Sequence, residues 1–262
     1  MSATNPALQD LADRLFSAER DRMAIDRLSD AHPGLSIADA YAIQRVNLQR
    51  KLDAGARLLG RKVGITSKAV QDWLLVREPD FGGLLDSMEV ADGGVCTRAE
   101  LLQPRVEGEI AFILGKDLEG THIGAAQVVQ ATDCVVAAIE IIDSRITDWK
   151  ITITDTVADN ASSARFVLGT RKTSLTGLDL PLAGCVLRKN GRVASTGAGA
   201  ACLGNPVTAV AWLARTLSRL QTPLRAGDVV LSGALLPVVP VEAGDFIEVE
   251  VAHIGSASVR FD

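Results

Sequence analysis

A glutamate in the middle of an apolar run is the feature that most constrains how this chain folds. Glu140 interrupts residues 135–142, which are otherwise apolar and typical of a strand buried on both faces. An ionised carboxylate in that position is costly unless it is satisfied. Glu140 is therefore expected to be protonated, to pair with a cation or to bind a metal ion. Arg105, Arg145 and Lys150 are the candidate cations.

Two further acids lie on a predicted strand at residues 106–114. Strand alternation places Glu107 and Glu109 on the same face as Ala111 and Ile113. By itself this pair is more typical of the solvated start of a strand than of a metal site. Together with Glu140, the two acids would form a set of three carboxylates without nearby cysteine or histidine. Such a set suits a hard cation such as Mg²⁺ or Mn²⁺ and disfavours zinc.

Composition excludes several classes of protein. The chain has 262 residues, of which 47% are hydrophobic, enough for a core without disulfides or structural metals. Only 4% are aromatic and the net charge is -5 with scattered cations, so neither nucleic acid nor an anionic membrane is an expected partner.

The cellular location of the protein and the state of its cysteines are inferred from features that the sequence lacks. It has no apparent signal peptide and no apolar run approaching about 20 residues, and we therefore expect a cytoplasmic protein that does not enter a membrane. The four cysteines are widely spaced and are interpreted as buried free thiols rather than as a zinc site or a disulfide framework.

The secondary-structure pattern of the sequence changes from helical to β-rich near residue 55. Apolar residues fall at helical spacing from Pro6 to about Leu28, and Ser36 with Asp39 forms a capping signal for a second helix. We predict a helical N-terminal region at residues 1–55 and a metal-binding, β-rich catalytic domain at residues 56–262.

Several local elements of the β-rich region are specified by pattern. Asn190-Gly191 predicts a type I′ hairpin, because both central residues of that turn need positive φ. Asn205 followed by Pro206 predicts a helix start. The predicted strands cover residues 58–65, 106–114, 135–142, 186–196, 229–232 and 246–251.

From about Leu35 to the end, the chain resembles a known family. The matching segments are Gly60-Arg-Lys-Val-Gly-Ile-Thr-Ser-Lys-Ala-Val-Gln71, Glu78-Pro-Asp-Phe-Gly82, Gln103-Pro-Arg-Val-Glu-Gly-Glu-Ile-Ala-Phe112, Asp143-Ser-Arg-Ile-Thr-Asp-Trp149, Asp155-Thr-Val-Ala-Asp-Asn-Ala-Ser162 and Gly255-Ser-Ala-Ser-Val-Arg-Phe261. They are similar to the 2-oxopent-4-enoate (2-hydroxypenta-2,4-dienoate) hydratases, which belong to the hydratase/decarboxylase family of the fumarylacetoacetate hydrolase superfamily. The resemblance implies an α+β fold whose mostly β-sheet core is of the fumarylacetoacetate hydrolase C-terminal type.

The resemblance also implies roles for individual residues. The metal ligands would be Glu107, Glu109 and Glu140. Lys62 and Asp80 would be acid/base residues, and Ser162 would help to hold the substrate carboxylate. From the residues alone, Lys62 would be an exposed strand lysine, Asp80 a turn residue after a proline, and Ser162 a loop serine.

The implied activity is the metal-dependent hydration of a small unsaturated 2-oxo or 2-hydroxy acid in aromatic meta-cleavage catabolism. The implied assembly is a homo-oligomer, a pentamer or decamer, that can associate with a decarboxylase. One departure from the family pattern is Leu75, which stands where relatives usually carry glycine in the lid, and it leaves the size of the substrate open.

Three rival functions remain open. A 4-oxalocrotonate decarboxylase would share the metal site but, by the family pattern, would carry an uncharged residue in place of Asp80. A hydrolase of acylpyruvates would need a histidine dyad, for which His32, His122 and His253 are in no suitable setting. A non-catalytic partner subunit of a hydratase-decarboxylase complex is the rival from a different class.

Overall fold

The computed structural model of the chain describes residues 6–262. Within that range the chain forms seven α-helices and thirteen β-strands. The helices are α1 (Pro6–Asp21), α2 (Leu28–Ala31), α3 (Ile37–Asp53), α4 (Lys68–Trp73), α5 (Ala125–Ala131), α6 (Ile153–Ala158) and α7 (Pro206–Arg219).

The strands divide between two sheets. They are β1 (Leu58–Gly64), β2 (Asp80–Leu85), β3 (Glu89–Val90), β4 (Gly94–Cys96), β5 (Arg105–Leu114), β6 (Thr132–Ile142), β7 (Ser163–Leu168), β8 (Gly184–Lys189), β9 (Arg192–Ala198), β10 (Val229–Leu231), β11 (Val239–Pro240), β12 (Phe246–Val251) and β13 (Gly255–Phe261). The larger sheet has the order β2-β1-β10-β5-β6-β7-β3, with β11 also paired to β5. The smaller has the order β4-β13-β12-β8-β9.

One face of the larger sheet packs against the smaller sheet and α7. Alternate residues of β5 and β6, such as Ile110 and Ile139, share a core cluster with Val249 of β12 and Leu213 of α7. Gly108 lies at this contact, because an added Cβ would come within 2.9 Å of the Cys185 Sγ. The other face of the larger sheet is therefore the one left for polar groups.

The N-terminal helices cover part of that other face. Helices α1 and α3 share an apolar cluster with Ile146 and Val157, and the Tyr41 ring of α3 stacks on Phe81 with centroids 4.5 Å apart. Leu48 of α3 packs over the apolar end of the sheet face. These contacts leave the opposite end of the face open, beside Glu107. The proposed domain boundary at residue 55 stays a prediction.

The fold class and several local predictions are confirmed. Ser36 and Asp39 form a capping box, Asn205 caps α7 with Pro206 at its first position, and Asn190 and Gly191 both have positive φ between β8 and β9. The four cysteines are buried and free. Among the described residues, no helix has the length and apolar character needed to cross a membrane.

One prediction about extent was wrong, and several strands were not predicted. Helix α1 ends at Asp21 rather than near Leu28, because Arg22 takes a positive φ of 54° and turns the chain. The strands that were not predicted from the pattern are β2, β3, β4, β7, β11 and β13. Strand β2 begins at Asp80, so that residue starts a fully buried strand rather than lying in a turn.

Candidate metal and substrate site

Three glutamates converge on the open face of the larger sheet. In the β5-β6 ladder, Glu107 lies directly opposite Glu140, and Glu109 lies two residues further along β5, opposite Ala138. Directly opposed residues and residues two apart share a face. One carboxylate oxygen from each glutamate lies within 4.8 Å of the others, which is a spacing that a single ion can bridge.

The carboxylates are short of partners inside the protein. Glu109 and Glu140 are completely buried, and neither Glu109 Oε1 nor either Glu140 oxygen has a hydrogen-bond partner among the described residues. The Gly233 N–H donates to Glu109 Oε2 at 2.7 Å, and Lys62 Nζ lies 3.4 Å from Glu140 Oε1. Buried carboxylate oxygens without partners are costly, so this cluster fits a divalent cation with oxygen ligands.

The cations expected to pair with Glu140 are placed elsewhere. Arg145 forms a buried ion pair with Asp159 at 2.5 Å, and Lys150 pairs with Asp148. Arg105 stacks over an aromatic ring. Lys62, on another strand, is the cation that reaches Glu140, and no short-range sequence pattern could have indicated it.

Burial and mutual repulsion favour protons on the cluster. Burial, with repulsion from Glu140, raises the pKa of Glu107 to about 7. Burial, with repulsion from Glu140 and Glu107, raises the pKa of Glu109 well above its ordinary value. A cation binding here must therefore displace protons that the glutamates hold near neutral pH.

We expect the affinity for Mn²⁺ to rise with pH between about 6 and 8, with proton release on binding. The direction follows because Glu107 and Glu109 must be deprotonated to bind, and both pKa values are raised. Calorimetric titration of the metal-free protein in two buffers of different ionisation enthalpy measures the protons released. A pH-independent affinity with no proton release would contradict this role for the two carboxyls.

Lys62 and Asp80 join the same face from the neighbouring strands. Asp80 pairs with Gly64, and Lys62 with Gly82, in the β1-β2 ladder. Both side chains are buried, although the sequence alone favoured an exposed lysine and a turn aspartate. Gly64 leaves room for them, because a Cβ there would come within 2.3 Å of Asp80 Oδ1 and 3.2 Å of Lys62 Nζ.

Burial acts in opposite directions on the pKa of Asp80 and on the pKa of Lys62. Burial, partly offset by attraction to Lys62, raises the pKa of Asp80 to about 6. Burial alone would lower the pKa of Lys62, but attraction to Glu140, Asp80 and Glu107 outweighs it and raises that pKa. The pKa of Lys62 is raised because four carboxylates, those of Glu140, Asp80, Glu107 and Glu109, surround the ammonium group. Lys62 is thus a hydrogen-bond donor and Asp80 a carboxylate above pH 6.

Ser162 lies at the end of a turn with unusual backbone geometry. Asn160, Ala161 and Ser162 all have φ between 51° and 55°, a conformation that is costly for residues other than glycine. The Asn160 side chain holds the turn by accepting from Gly83 N–H and donating to Gly83 O, at 2.8 and 3.0 Å. The Arg145 guanidinium also donates to Asp159 O at 2.6 Å. Clustered strain of this kind is characteristic of functional sites.

A cavity of about 370 Å³ lies beside the glutamate cluster, at Glu107. Its polar lining includes Lys62, Asp80, Arg105, Glu107, Thr156 and Ser162. Its apolar walls include Trp73 and Leu74 from the end of α4, together with Trp149. Leu75, the residue after this wall, is 91% exposed with φ of 56°, the left-handed region that glycine adopts most easily.

Sequence reasoning missed the residues that support the site. Asn160, Gly64, Gly233 and Trp149 were assigned no role, although all of them except Gly233 stand in segments that carry the family resemblance. Two consecutive positive φ angles at Asp148 and Trp149 give no signal in the residue types. Only Gly64 and Gly233 offered one, since glycine often marks close approach of groups to a backbone.

Comparisons with known proteins agree with this architecture. Residues 60–262 match the family model for the fumarylacetoacetate (FAA) hydrolase C-terminal region. The chain is 49% identical over 254 residues to 2-keto-4-pentenoate hydratase of Paraburkholderia xenovorans, covering 97% of this chain and 94% of that protein. It is 47% identical over 250 residues to 2-hydroxyhexa-2,4-dienoate hydratase of Comamonas testosteroni, covering 95% of each.

A solved structure with the same fold is the 4-oxalocrotonate decarboxylase of Pseudomonas putida G7, complexed with magnesium and adipate. The TM-score is 0.94 at 38% sequence identity, and the match covers 97% of both chains.

Proposed function

The chain belongs to the fumarylacetoacetate hydrolase family, and we propose that it is a metal-dependent hydratase that converts 2-hydroxypenta-2,4-dienoate into 4-hydroxy-2-oxopentanoate. The observation that carries the proposal is the cluster of Glu107, Glu109 and Glu140 beside the buried pair Lys62 and Asp80. Two relatives covered over nearly their whole length are named hydratases of 2-oxo or 2-hydroxy dienoic acids. These names support the reaction class.

Glu107, Glu109 and Glu140 would hold Mg²⁺ or Mn²⁺. The unpartnered oxygens of Glu109 and Glu140 and the all-oxygen donor set support a hard divalent cation. When bound, such a cation supplies Lewis-acid stabilisation of negative charge on the 2-oxygen of the substrate. The magnesium in the similar decarboxylase structure supports the same choice.

The chain's own residues would handle protons and orientation. The dienol loses its 2-hydroxyl proton and takes a proton at C5, which gives the isomeric 2-oxo-3-enoate. The oxygen of a water molecule then bonds to C4 while C3 takes a proton, so that one water is consumed. The Asp80 carboxylate accepts a proton from that water, and the Lys62 ammonium donates a hydrogen bond to the 2-oxygen. The Ser162 hydroxyl, beside Thr156 Oγ1 at 3.3 Å, donates to the substrate carboxylate.

The purified protein alone is expected to consume 2-hydroxypenta-2,4-dienoate in the presence of Mg²⁺ or Mn²⁺. The proposed reaction depends on the cation that the carboxylate cluster holds, so removing this cation with a chelator should stop the reaction. Loss of the dienol ultraviolet band follows the rate, and nuclear magnetic resonance of the product identifies 4-hydroxy-2-oxopentanoate. A sample without protein controls for spontaneous ketonisation.

Other products would contradict the proposal in distinct ways. Release of carbon dioxide from 4-oxalocrotonate without hydration of the dienoate would make the chain a decarboxylase. Cleavage of an acylpyruvate would make it a hydrolase. No reaction with either metal would support a non-catalytic partner subunit.

Decarboxylation is the second candidate function, favoured by the close structural match to 4-oxalocrotonate decarboxylase. The metal cluster is compatible with either reaction, because both develop negative charge on a 2-oxo acid. Hydration additionally requires a group that activates water. The buried Asp80 carboxyl is suited to that work, and this supports hydration as the first choice.

The wider setting is proposed from the family resemblance. The protein would act in aromatic meta-cleavage catabolism as a homo-oligomer, a pentamer or decamer, and would associate with a decarboxylase. The cytoplasmic location and the domain division at residue 55 stay predictions. Sedimentation of the purified protein, with and without a decarboxylase of the family, measures both kinds of assembly.

A further inference from the structure

Arg105 is a cation of the cavity wall that lacks an acidic partner. Its side chain makes no ion pair or hydrogen bond with any residue of 6–262. Lys62, by contrast, is paired with Glu140. Arg105 is therefore free to bind an anion that enters the cavity.

The guanidinium of Arg105 is held in place by an aromatic platform. Its central carbon lies 4.6 Å from the centroid of the Trp149 ring, and Trp149 Nε1–H donates to Gln103 O at 3.0 Å. Asp148 and Trp149 both have φ near 57°, at 58° and 56°, an uncommon conformation for a bulky residue. Stacking uses a face of the guanidinium and leaves its edge N–H groups available.

Arg105 and Ser162 lie at the same end of the glutamate cluster. Arg105 is two residues from Glu107 on β5, on the same face and about 6.8 Å away along the strand. Its partner in the ladder is Ile142, and the next residue, Asp143, donates its N–H to Ser162 O at 2.8 Å. Both Arg105 and Ser162 line the cavity, so an anion beside Glu107 could contact both.

We propose that Arg105, stacked on Trp149, binds the C1 carboxylate of the 2-oxo acid substrate. The inference rests on the proposed function, which supplies a substrate whose carboxylate is adjacent to its 2-oxygen. The edge of a guanidinium matches a carboxylate with two parallel hydrogen bonds. Arg105 fixes the end of the substrate opposite to the carbons that react, and Trp149 is a positioning residue that acts through Arg105.

The test is calorimetric binding of 2-oxopentanoate, a saturated analogue, to the Mn²⁺-loaded protein. Arg105→Gln should raise its Kd by about 10- to 100-fold, the usual range for hydrogen bonds between charged groups. Arg105→Lys should fall between Arg105→Gln and wild type, because lysine keeps the charge but loses the fork and the stack. Trp149→Leu should also raise the Kd, and Trp149→Phe should restore most of the affinity. Arg192→Gln, in the exposed hairpin strand β9, is the matched control.

A neutral ligand separates carboxylate binding from a structural role. Pentane-2,3-dione lacks the carboxylate, so its Kd should be the same for wild type and Arg105→Gln. If Arg105→Gln weakened the binding of pentane-2,3-dione as much as that of 2-oxopentanoate, the proposal would be overturned. It would also be overturned if the variant weakened the binding of 2-oxoadipate, which carries a second carboxylate at its far end, but not that of 2-oxopentanoate. If wild type bound no 2-oxo acid, the proposed substrate class would fail as well. If 2-oxopentanoate bound wild type and Arg105→Gln equally, only the assignment to Arg105 would fail.

Discussion

Replacement of Glu109 with glutamine is expected to abolish metal-dependent turnover and to weaken Mn²⁺ binding by more than about 100-fold. Mutation of a residue that hydrogen-bonds to a metal ligand typically lowers metal affinity by about 10- to 100-fold. The loss should be larger here, because the substitution removes the negative charge of a proposed ligand itself. Glutamine keeps the volume, and its amide oxygen can still accept the Gly233 N–H that bonds Glu109 Oε2 at 2.7 Å. The fold should therefore persist. Calorimetry with Mn²⁺ and the dienol assay measure the two losses.

The stability of the metal-free variant provides the internal control. Burial and repulsion raise the pKa of Glu109, so this carboxyl contributes stability at low pH that is lost as pH rises towards the folded-state pKa. Glutamine removes that loss, and metal-free Glu109→Gln should be at least as stable as wild type above pH 7. Thermal unfolding across pH measures this, with the exposed Glu250→Gln as a matched substitution. A variant that still binds Mn²⁺ normally would exclude Glu109 from the ligand set.

The elements that the sequence predicted well are those specified by short-range chemistry. The capping box of Ser36 and the type I′ turn at Asn190 depend on residues within three positions of each other, so their residue types are sufficient. Glu140 was conspicuous because a charge interrupts a run whose other members are apolar. Its environment was predictable as buried and in need of a partner, whereas the identity of that partner was not.

The parts that escaped prediction depend on strand pairing. Lys62 is buried because β1 lies between β2 and β10, and it reaches Glu140 across strands that are distant in the chain. Asp80 follows a proline, which favours a turn, but pairing with β1 makes it the first residue of a buried strand. The strained turn at Asn160 is imposed by bonds to Gly83. Propensity cannot indicate such tertiary contacts.

Replacement of Asp80 with asparagine is expected to lower hydration by at least about 100-fold and to leave Mn²⁺ and 2-oxopentanoate binding unchanged. That magnitude is typical of a general acid/base residue. Asparagine has the same shape, and Lys62 keeps its 3.4 Å contact with Glu140, so no buried cation loses its only partner. Stopped-flow loss of the dienol at saturating Mn²⁺ measures turnover. Asp10→Asn on the exposed surface of α1 is the matched control.

The pH profile ties the effect to the carboxylate. Burial raises the pKa of Asp80 to about 6, and only the deprotonated form can accept a proton from water. Wild-type hydration at saturating metal should therefore fall as pH drops through about 6, and the residual rate of Asp80→Asn should lack that step. Unchanged turnover in the variant would remove Asp80 from the mechanism.

The same variant distinguishes the two candidate reactions. Decarboxylation of 4-oxalocrotonate breaks a carbon–carbon bond without consuming water, so a residue that activates water is dispensable for it. If the protein is a hydratase, Asp80→Asn should lose hydration although the metal cluster and the cavity are intact. If the protein instead decarboxylates 4-oxalocrotonate at the same rate with Asp80 or Asn, the buried carboxyl is a structural feature of the sheet face. Measuring both substrates with both proteins therefore assigns the reaction, because the metal site alone is common to the two.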